Sequence, residues 1–227
     1  MENLTFYAII VAGGAGKRMN SAIPKQFLDI AGKPILMHTI EKFSRSTYNP
    51  KIILVLSAAD ISIWEQKVAQ YSFDIPHQIV SGGKERFFSV KSGLDTIREQ
   101  NSIIAIHDAV RPLVSLSTID SCYSNAIENG NAIAAIVSKD SIRIKNIDHN
   151  QAISRDLVYL VQTPQTFSFG QLSDAYKQEF SKDFTDDASV VEKSGYDIFL
   201  EDGDQFNMKI TYEEDLIIAE ALIKNQC

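Results

Sequence analysis

Cysteine is nearly absent: the 227 residues hold only Cys122 and Cys227. Two cysteines are an unpromising basis for a disulfide scaffold, and the four histidines, His38, His77, His107 and His149, lie too far apart for a zinc-ligand spacing. With 11 glycines and 6 prolines the chain is neither collagenous nor low in complexity. Long apolar runs are also missing. The stretch Phe6 to Ala12 is too short to span a bilayer, follows Glu2 and has no basic segment before it, so a cytoplasmic protein without membrane association is expected. Basic residues are the minority, 22 against 29 acidic for a net charge of −7, and this balance argues against a nucleic-acid polymer or an anionic membrane as partner. What is present is an ordinary globular composition, 44% hydrophobic and 22% charged. That length and composition suit one domain over residues 1–227.

Short β-branched runs alternate with longer segments of helical period, a pattern that predicts an α/β fold with a mostly parallel sheet and helices on both faces. Phe6 to Ala12, Ile52 to Leu56, Ile103 to Ile106 and Ala132 to Val137 are nearly free of polar residues, as strands covered on both faces should be. Helices are predicted at Ile35 to Phe43, Ile61 to Tyr71, Ser89 to Arg98, Thr118 to Glu128, Phe169 to Glu179, Asp187 to Lys193 and Tyr212 to Lys224. Thr211 and Glu214 form a capping-box pattern before the last. Ser138 to Arg155 breaks the rhythm by alternating polar and apolar residues around Asp148-His149-Asn150, which predicts a β-hairpin arm at about 138–156. Such an arm is too thin to bury Ile142, Ile144 and Ile147. It must lean on something, either a second copy of the chain or its own domain.

The chemistry is expected at the carboxyl end of the first strand, where Ala12-Gly13-Gly14-Ala15-Gly16-Lys17-Arg18 follows. A P-loop would need Gly at Val11 and Ser or Thr at Arg18, and a dinucleotide fingerprint would need Gly at Met19. Neither fits. What remains is a glycine loop whose backbone N–H groups can approach phosphate oxygens, with cations beside it; a glycine turn that merely packs on a helix is the alternative. Lys25 follows in Ile23-Pro24-Lys25-Gln26, and Gly82-Gly83-Lys84-Glu85-Arg86 stands before the predicted Ser89 helix, whose N-terminus favours acceptors. Asp108, in His107-Asp108-Ala109-Val110-Arg111-Pro112, emerges at the same sheet edge. A carboxylate beside phosphate binders suits Mg²⁺; a turn cap paired with Arg111 is the alternative.

Seven segments, AGGAGKRM, IPKQF, GGKER, IHDAVRP, QTPQTF, TDDAS and NMKIT, occur in an order and spacing that resembles the 2-C-methyl-D-erythritol 4-phosphate cytidylyltransferases, from Ala8 to Leu222. The resemblance implies a Rossmann-like α/β domain of the nucleotide-diphosphosugar-transferase type and a homodimer interlocked through a projecting β-hairpin arm. It implies that Arg18 and Lys25 stabilise charge on the CTP triphosphate, while Ala12, Gly13, Gly14, Ala15 and Gly16 wrap the nucleotide. Gly83, Arg86 and Ser89 match the base-reading and ribose-side segment, and Asp108 the residue beside ribose and Mg²⁺. Arg111 supports that loop on the substrate side. Ser141, Arg155, Thr163, Thr185 and Lys209 match positions that bind or orient the polyol phosphate, some of them reaching the site from the partner subunit. The chain departs from the family pattern at Lys84, at Phe87-Phe88 and at Ser141.

The activity so implied is transfer of CMP from CTP to 2-C-methyl-D-erythritol 4-phosphate. A ribitol 5-phosphate cytidylyltransferase shares several of these segments. A sugar-1-phosphate nucleotidyltransferase that uses UTP or GTP and a catalytically silent nucleotide-binding protein are more distant alternatives. Because the attacking phosphate is already an anion, the transfer needs positioning and charge neutralisation more than a general base. Arg18, Lys25, Arg155 and Lys209 supply that charge.

Overall fold

The computed structural model describes residues 4–13 and 23–225. Gly14, Ala15, Gly16 and Arg18 lie outside the described residues. In chain order the elements are β1 (Thr5–Val11), β2 (Asp29–Ile30), β3 (Lys33–Pro34), α1 (Ile35–Ser44), β4 (Lys51–Leu56), α2 (Ile61–Tyr71), β5 (Gln78–Ser81), α3 (Arg86–Leu94) and β6 (Ser102–Asp108). There follow α4 (Leu116–Asn129), β7 (Asn131–Val137), β8 (Ile142–Lys145), β9 (Asn150–Ile153), β10 (Tyr159–Ser168), α5 (Phe169–Ala175), α6 (Asp187–Lys193), β11 (Leu200–Asp202) and α7 (Glu213–Asn225).

Seven strands make one sheet in the order β11-β7-β10-β6-β1-β4-β5. All neighbours are parallel except β10, which runs antiparallel to both β6 and β7. The chain winds from β1 outward through β4 to β5, then returns to place β6 on the other side of β1. The β1/β6 boundary is thus the topological switch point, where the carboxyl ends of parallel strands open a crevice.

Side-chain alternation sorts each central strand between two cores. Ala8 and Ile10 of β1, Leu54 of β4 and Ala105 of β6 face Leu36, Phe43, Trp64, Ile119 and Tyr123 of α1, α2 and α4. Ile9, Val55 and Ile106 face Phe87, Val90, Leu172 and Val191 of α3, α5 and α6. The sheet is therefore covered on both faces. A smaller third cluster, including Ile30, Ile35, Val110, Ile210 and Ala219, seats α7 beside the loop that leaves β6.

Several expected boundaries shift. The third helix begins at Arg86 rather than Ser89, because Glu85 is already its extended cap and Arg86 enters the first turn. It ends at Leu94, not Arg98, and α5 stops at Ala175, not Glu179. Ser115 caps α4 by accepting from Thr118 N–H, so that helix starts at Leu116; its far end, Asn129, is capped by Gly130, whose φ of +84° disfavours a side chain. The Thr211–Glu214 box does not form: Asp215 Oδ2 accepts from the N–H groups of Thr211 and Tyr212, and the Thr211 hydroxyl donates to Lys209 O. The reciprocal capping box is at α6 instead, between Asp186 and Ser189. Strands β5, β10 and β11 lie outside the four strands named from sequence.

The hairpin forms as expected. β8 and β9 pair antiparallel in a two-stranded sheet of their own, no residue from 141 to 153 is buried, and Ile147 at the tip is 99% exposed.

His107 on β6 is fully buried and its partners settle its proton. Nε2 faces the Arg111 carbonyl at 3.2 Å and must donate; Nδ1, 3.0 Å from Thr163 Oγ1, therefore accepts from that hydroxyl. Burial drives its pKa down from 6.5 to about 4, against the opposing pull of the Arg111 carbonyl. The folded value lies below the unfolded one, so this contribution to stability is complete above about pH 6.5 and is lost as pH falls towards 4. His38, also lowered by burial, acts in the same direction. Urea unfolding at pH 5 should show stability lower than at pH 7 by on the order of 2 kcal/mol from His107. His107→Asn should flatten that pH slope, and an unchanged slope in the variant would assign the effect elsewhere.

Candidate active site

Asp108 ends β6, in register with Val11 at the end of β1, and so stands at the mouth of the switch-point crevice. Ala109 N–H donates to Val11 O, and Ala12 N–H to Val55 O, holding the two strand exits together. Three cations close on the Asp108 carboxylate. Arg111 Nε and Lys209 Nζ each lie 3.1 Å from Oδ2, and Arg86 Nε lies 3.8 Å from Oδ1. Burial alone would raise the Asp108 pKa; Arg86, Lys209 and Arg111 together overrule it and hold the carboxyl well below the usual carboxylate range. Arg86 is desolvated too, yet Asp187 and Asp108 keep it firmly protonated. Two carboxylates, Asp108 and Asp187, set against three cations, Arg86, Arg111 and Lys209, leave a local surplus of positive charge, on a chain whose overall charge is −7. Such an arrangement is suited to a polyanion.

Lys25 joins from the other side. It sits in a single helical turn after Pro24, is buried, and donates from Nζ to Ile210 O at 2.9 Å. Ile210 N–H in turn donates to Val110 O, so Lys25, Lys209 and the Asp108 loop share one backbone junction. Gln26 anchors the start of the glycine loop by donating to Ala12 O at 3.0 Å.

A closed hydrogen-bond circuit fixes the floor. Asp108 N–H donates to Thr163 Oγ1, Asn207 Nδ2 to Thr163 O, Arg111 Nη1 to Asn207 O, and Arg111 Nε back to Asp108. Thr163 is therefore a buried support beneath Asp108, with its hydroxyl occupied by Asp108 and His107. Arg111 is the brace between two loops.

The far wall is the N-terminus of α3. A Cβ on Gly83 would fall 2.3 Å from Phe88 Cβ, and one on Gly82 would fall 2.8 Å from Ser89 Oγ. Ser89, buried, also lies 3.4 Å from the corresponding position on Gly13. The two glycine segments, distant in sequence, thus converge over Ser89. Lys84 is exposed, and Phe87 packs into an aromatic cluster with Tyr176 and Phe184 rather than facing the crevice.

Three expected site residues do not join this cluster within one chain. Ser141 is exposed at the start of the arm. Arg155 is exposed at the arm's base, where it donates to Lys139 O and lines an open cleft of about 600 Å³ with Ser138, Tyr159 and Gly203. Thr185 is exposed just before the Asp186 cap of α6. Conversely, Gln165, Asp187 and Asn207 belong to the site framework without having been named from sequence. Their signal lay inside QTPQTF, TDDAS and NMKIT, but a buried polar side chain differs from its neighbours only once its partners are known.

Among the described residues, no helix is long and apolar enough to cross a membrane. A family model described as 2-C-methyl-D-erythritol 4-phosphate cytidylyltransferase matches residues 6–225. The protein of that name from Bacteroides fragilis is 44% identical over 216 residues, 95% of this chain and 98% of its own. Its counterpart from Azobacteroides pseudotrichonymphae is 46% identical over 218 residues, 96% and 98% of the two chains. The crystal structure of 4-diphosphocytidyl-2C-methyl-D-erythritol synthase from Anaerococcus prevotii has a TM-score of 0.83 at 30% identity, covering 97% of this chain and 96% of that one. With sequence likeness running almost end to end and the fold shared, the chain belongs to the 2-C-methyl-D-erythritol 4-phosphate cytidylyltransferase family.

Proposed function

We propose that the protein transfers CMP from CTP to 2-C-methyl-D-erythritol 4-phosphate, releasing pyrophosphate and forming 4-diphosphocytidyl-2-C-methyl-D-erythritol. The observation that carries this reading is the surplus of cations gathered on Asp108 at the switch point, in a chain of this family.

A phosphate oxygen of the acceptor attacks the α-phosphorus of CTP in line; the new bond forms as the bond from the α-phosphorus to the bridging oxygen of pyrophosphate breaks. The nucleophile carries its charge already, so no residue need remove a proton. Two polyanions must instead be held together while negative charge grows on the departing pyrophosphate. Lys25 and Lys209, which meet at the Ile210 junction, would do that work together with Arg18. Gly13, Gly83 and Ser89 would line the nucleotide, with Gly14, Ala15 and Gly16 completing the loop. Arg86 would orient the ribose side, and Arg111 and Thr163 would hold the floor.

The donor set at Asp108 fits Mg²⁺ shared with the triphosphate. Among the described residues Arg86 approaches Oδ1 no closer than 3.8 Å, which leaves that oxygen acceptor capacity, and no group of three His, Cys, Asp or Glu side chains among them could hold an ion alone. One carboxylate plus substrate phosphates is a usual magnesium arrangement. When bound, the ion would neutralise phosphate charge.

The acceptor side is incomplete in one chain, because Ser141 and Arg155 belong to the arm. The exposed apolar side chains of Ile144, Ile147, Leu157 and Leu160 around the hairpin support a homodimer in which each arm serves the partner's crevice.

Offered CTP with either polyol phosphate, the protein should release pyrophosphate faster with methylerythritol phosphate; faster release with ribitol 5-phosphate would reassign the acceptor, and none with either would leave a binding protein. Lys25→Ala and Arg155→Ala should each lower turnover by roughly 10² to 10³ fold with the fold retained. Mixed in equal amounts and allowed to exchange subunits, the two variants should recover about a quarter of parental turnover, since half the dimers would hold one intact site. Recovery no greater than the sum of the two would contradict a shared site.

A further inference from the structure

Arg86 stands between two carboxylates and is held unequally by them. Its Nη1 is 2.6 Å from Asp187 Oδ1, whereas its Nε is 3.8 Å from Asp108 Oδ1, beyond hydrogen-bond length. Asp187 is fully buried in the first turn of α6. Its Oδ1 also accepts from the Tyr176 hydroxyl at 2.6 Å. The N–H groups of Asp187 and Ala188 both donate to Gln165 Oε1, at 3.0 and 2.9 Å, and Gln165 Nε2 donates to Asp186 Oδ2 at 2.9 Å. Asp187 therefore cannot swing towards the crevice without breaking its bonds to Arg86 and Tyr176.

A buried carboxylate is poor evidence for stability, because well-packed apolar residues often serve as well as a buried ion pair. Here Asp187 Oδ2 has no hydrogen-bond partner among the described residues, so the group is held at a cost. A role through Arg86 accounts for that cost. We infer that Asp187 is a positioning residue that draws the Arg86 guanidinium off Asp108 and so keeps Asp108 Oδ1 open to the nucleotide. Without the Asp187 charge, Arg86 would close on Asp108, the one remaining carboxylate beside it, and occupy Oδ1. The planar fork of arginine matters, since it presents separate N–H groups to the two carboxylates in fixed directions, which a lysine ammonium on its flexible stem does not.

The inference rests on the proposed use of Asp108 by CTP, so its test reads nucleotide binding rather than turnover. Calorimetric titration of the full-length protein with CTP in magnesium buffer should show Asp187→Asn binding about tenfold more weakly than the parent. In an Arg86→Leu background, where no guanidinium can close on Asp108, Asp187→Asn should cause no further loss. Should Asp187→Asn give no cooperative thermal melt, Arg86→Lys carries the test, with the same weakening expected. Parental CTP affinity in Asp187→Asn or in Arg86→Lys, or an equal loss from Asp187→Asn in both backgrounds, would overturn the positioning role while leaving the proposed activity standing. Failure of the parent itself to bind CTP would remove both.

Discussion

The site depends on one buried carboxylate. Asp108 is the last residue of a strand buried along its whole length, and three cations from separate parts of the chain, Arg86, Arg111 and Lys209, gather beside it. Like charges would otherwise repel one another at these distances. Asp108, with Asp187 behind Arg86, offsets that repulsion and still leaves net positive charge, which suits the cluster to a polyphosphate. The net charge of −7 on the whole chain adds contrast to this local positive cluster.

The framework under that cluster is built from hydrogen bonds rather than from further charge. Thr163, Asn207, Arg111 and Asp108 close a circuit, with neutral His107 behind Thr163. Every member has its conformation set by two neighbours, so the cationic groups arrive pre-oriented, which is what electrostatic catalysis of group transfer requires. The loop carrying Lys209 is secured separately: Gln162 accepts from Asp204 N–H and donates to Asp204 O, and Gly203 leaves room for that amide, since a Cβ there would lie 2.6 Å from Gln162 Oε1.

The central sheet was legible in the sequence because both faces of β1, β4, β6 and β7 are covered, and such strands must be almost continuously apolar. β10 was not, for the opposite reason. Its middle, Gln162-Thr163-Pro164-Gln165, carries polar side chains that serve the site, and a proline that breaks the pairing register with β7 between Val161 and Gln165. Segments that do chemistry look like loops to a reading based on hydrophobic period. Asp108 could be placed from sequence because it follows a clear strand. Asp187 could not, since nothing in TDDAS distinguishes a buried carboxylate bound to a distant arginine from an ordinary helix cap. The arm was visible as an alternating segment with nowhere to bury its isoleucines, but the residues it presents reach Asp108 only in the proposed dimer.

The most direct measurement is steady-state pyrophosphate release by Asp108→Asn, which keeps the shape of the side chain and removes the charge that holds Arg111 and Lys209. A fall of roughly 10² fold or more, in a variant that still melts cooperatively, is the result expected if that carboxylate organises the site. Turnover within about threefold of the parent, a difference of well under 1 kcal/mol in the barrier, would contradict it.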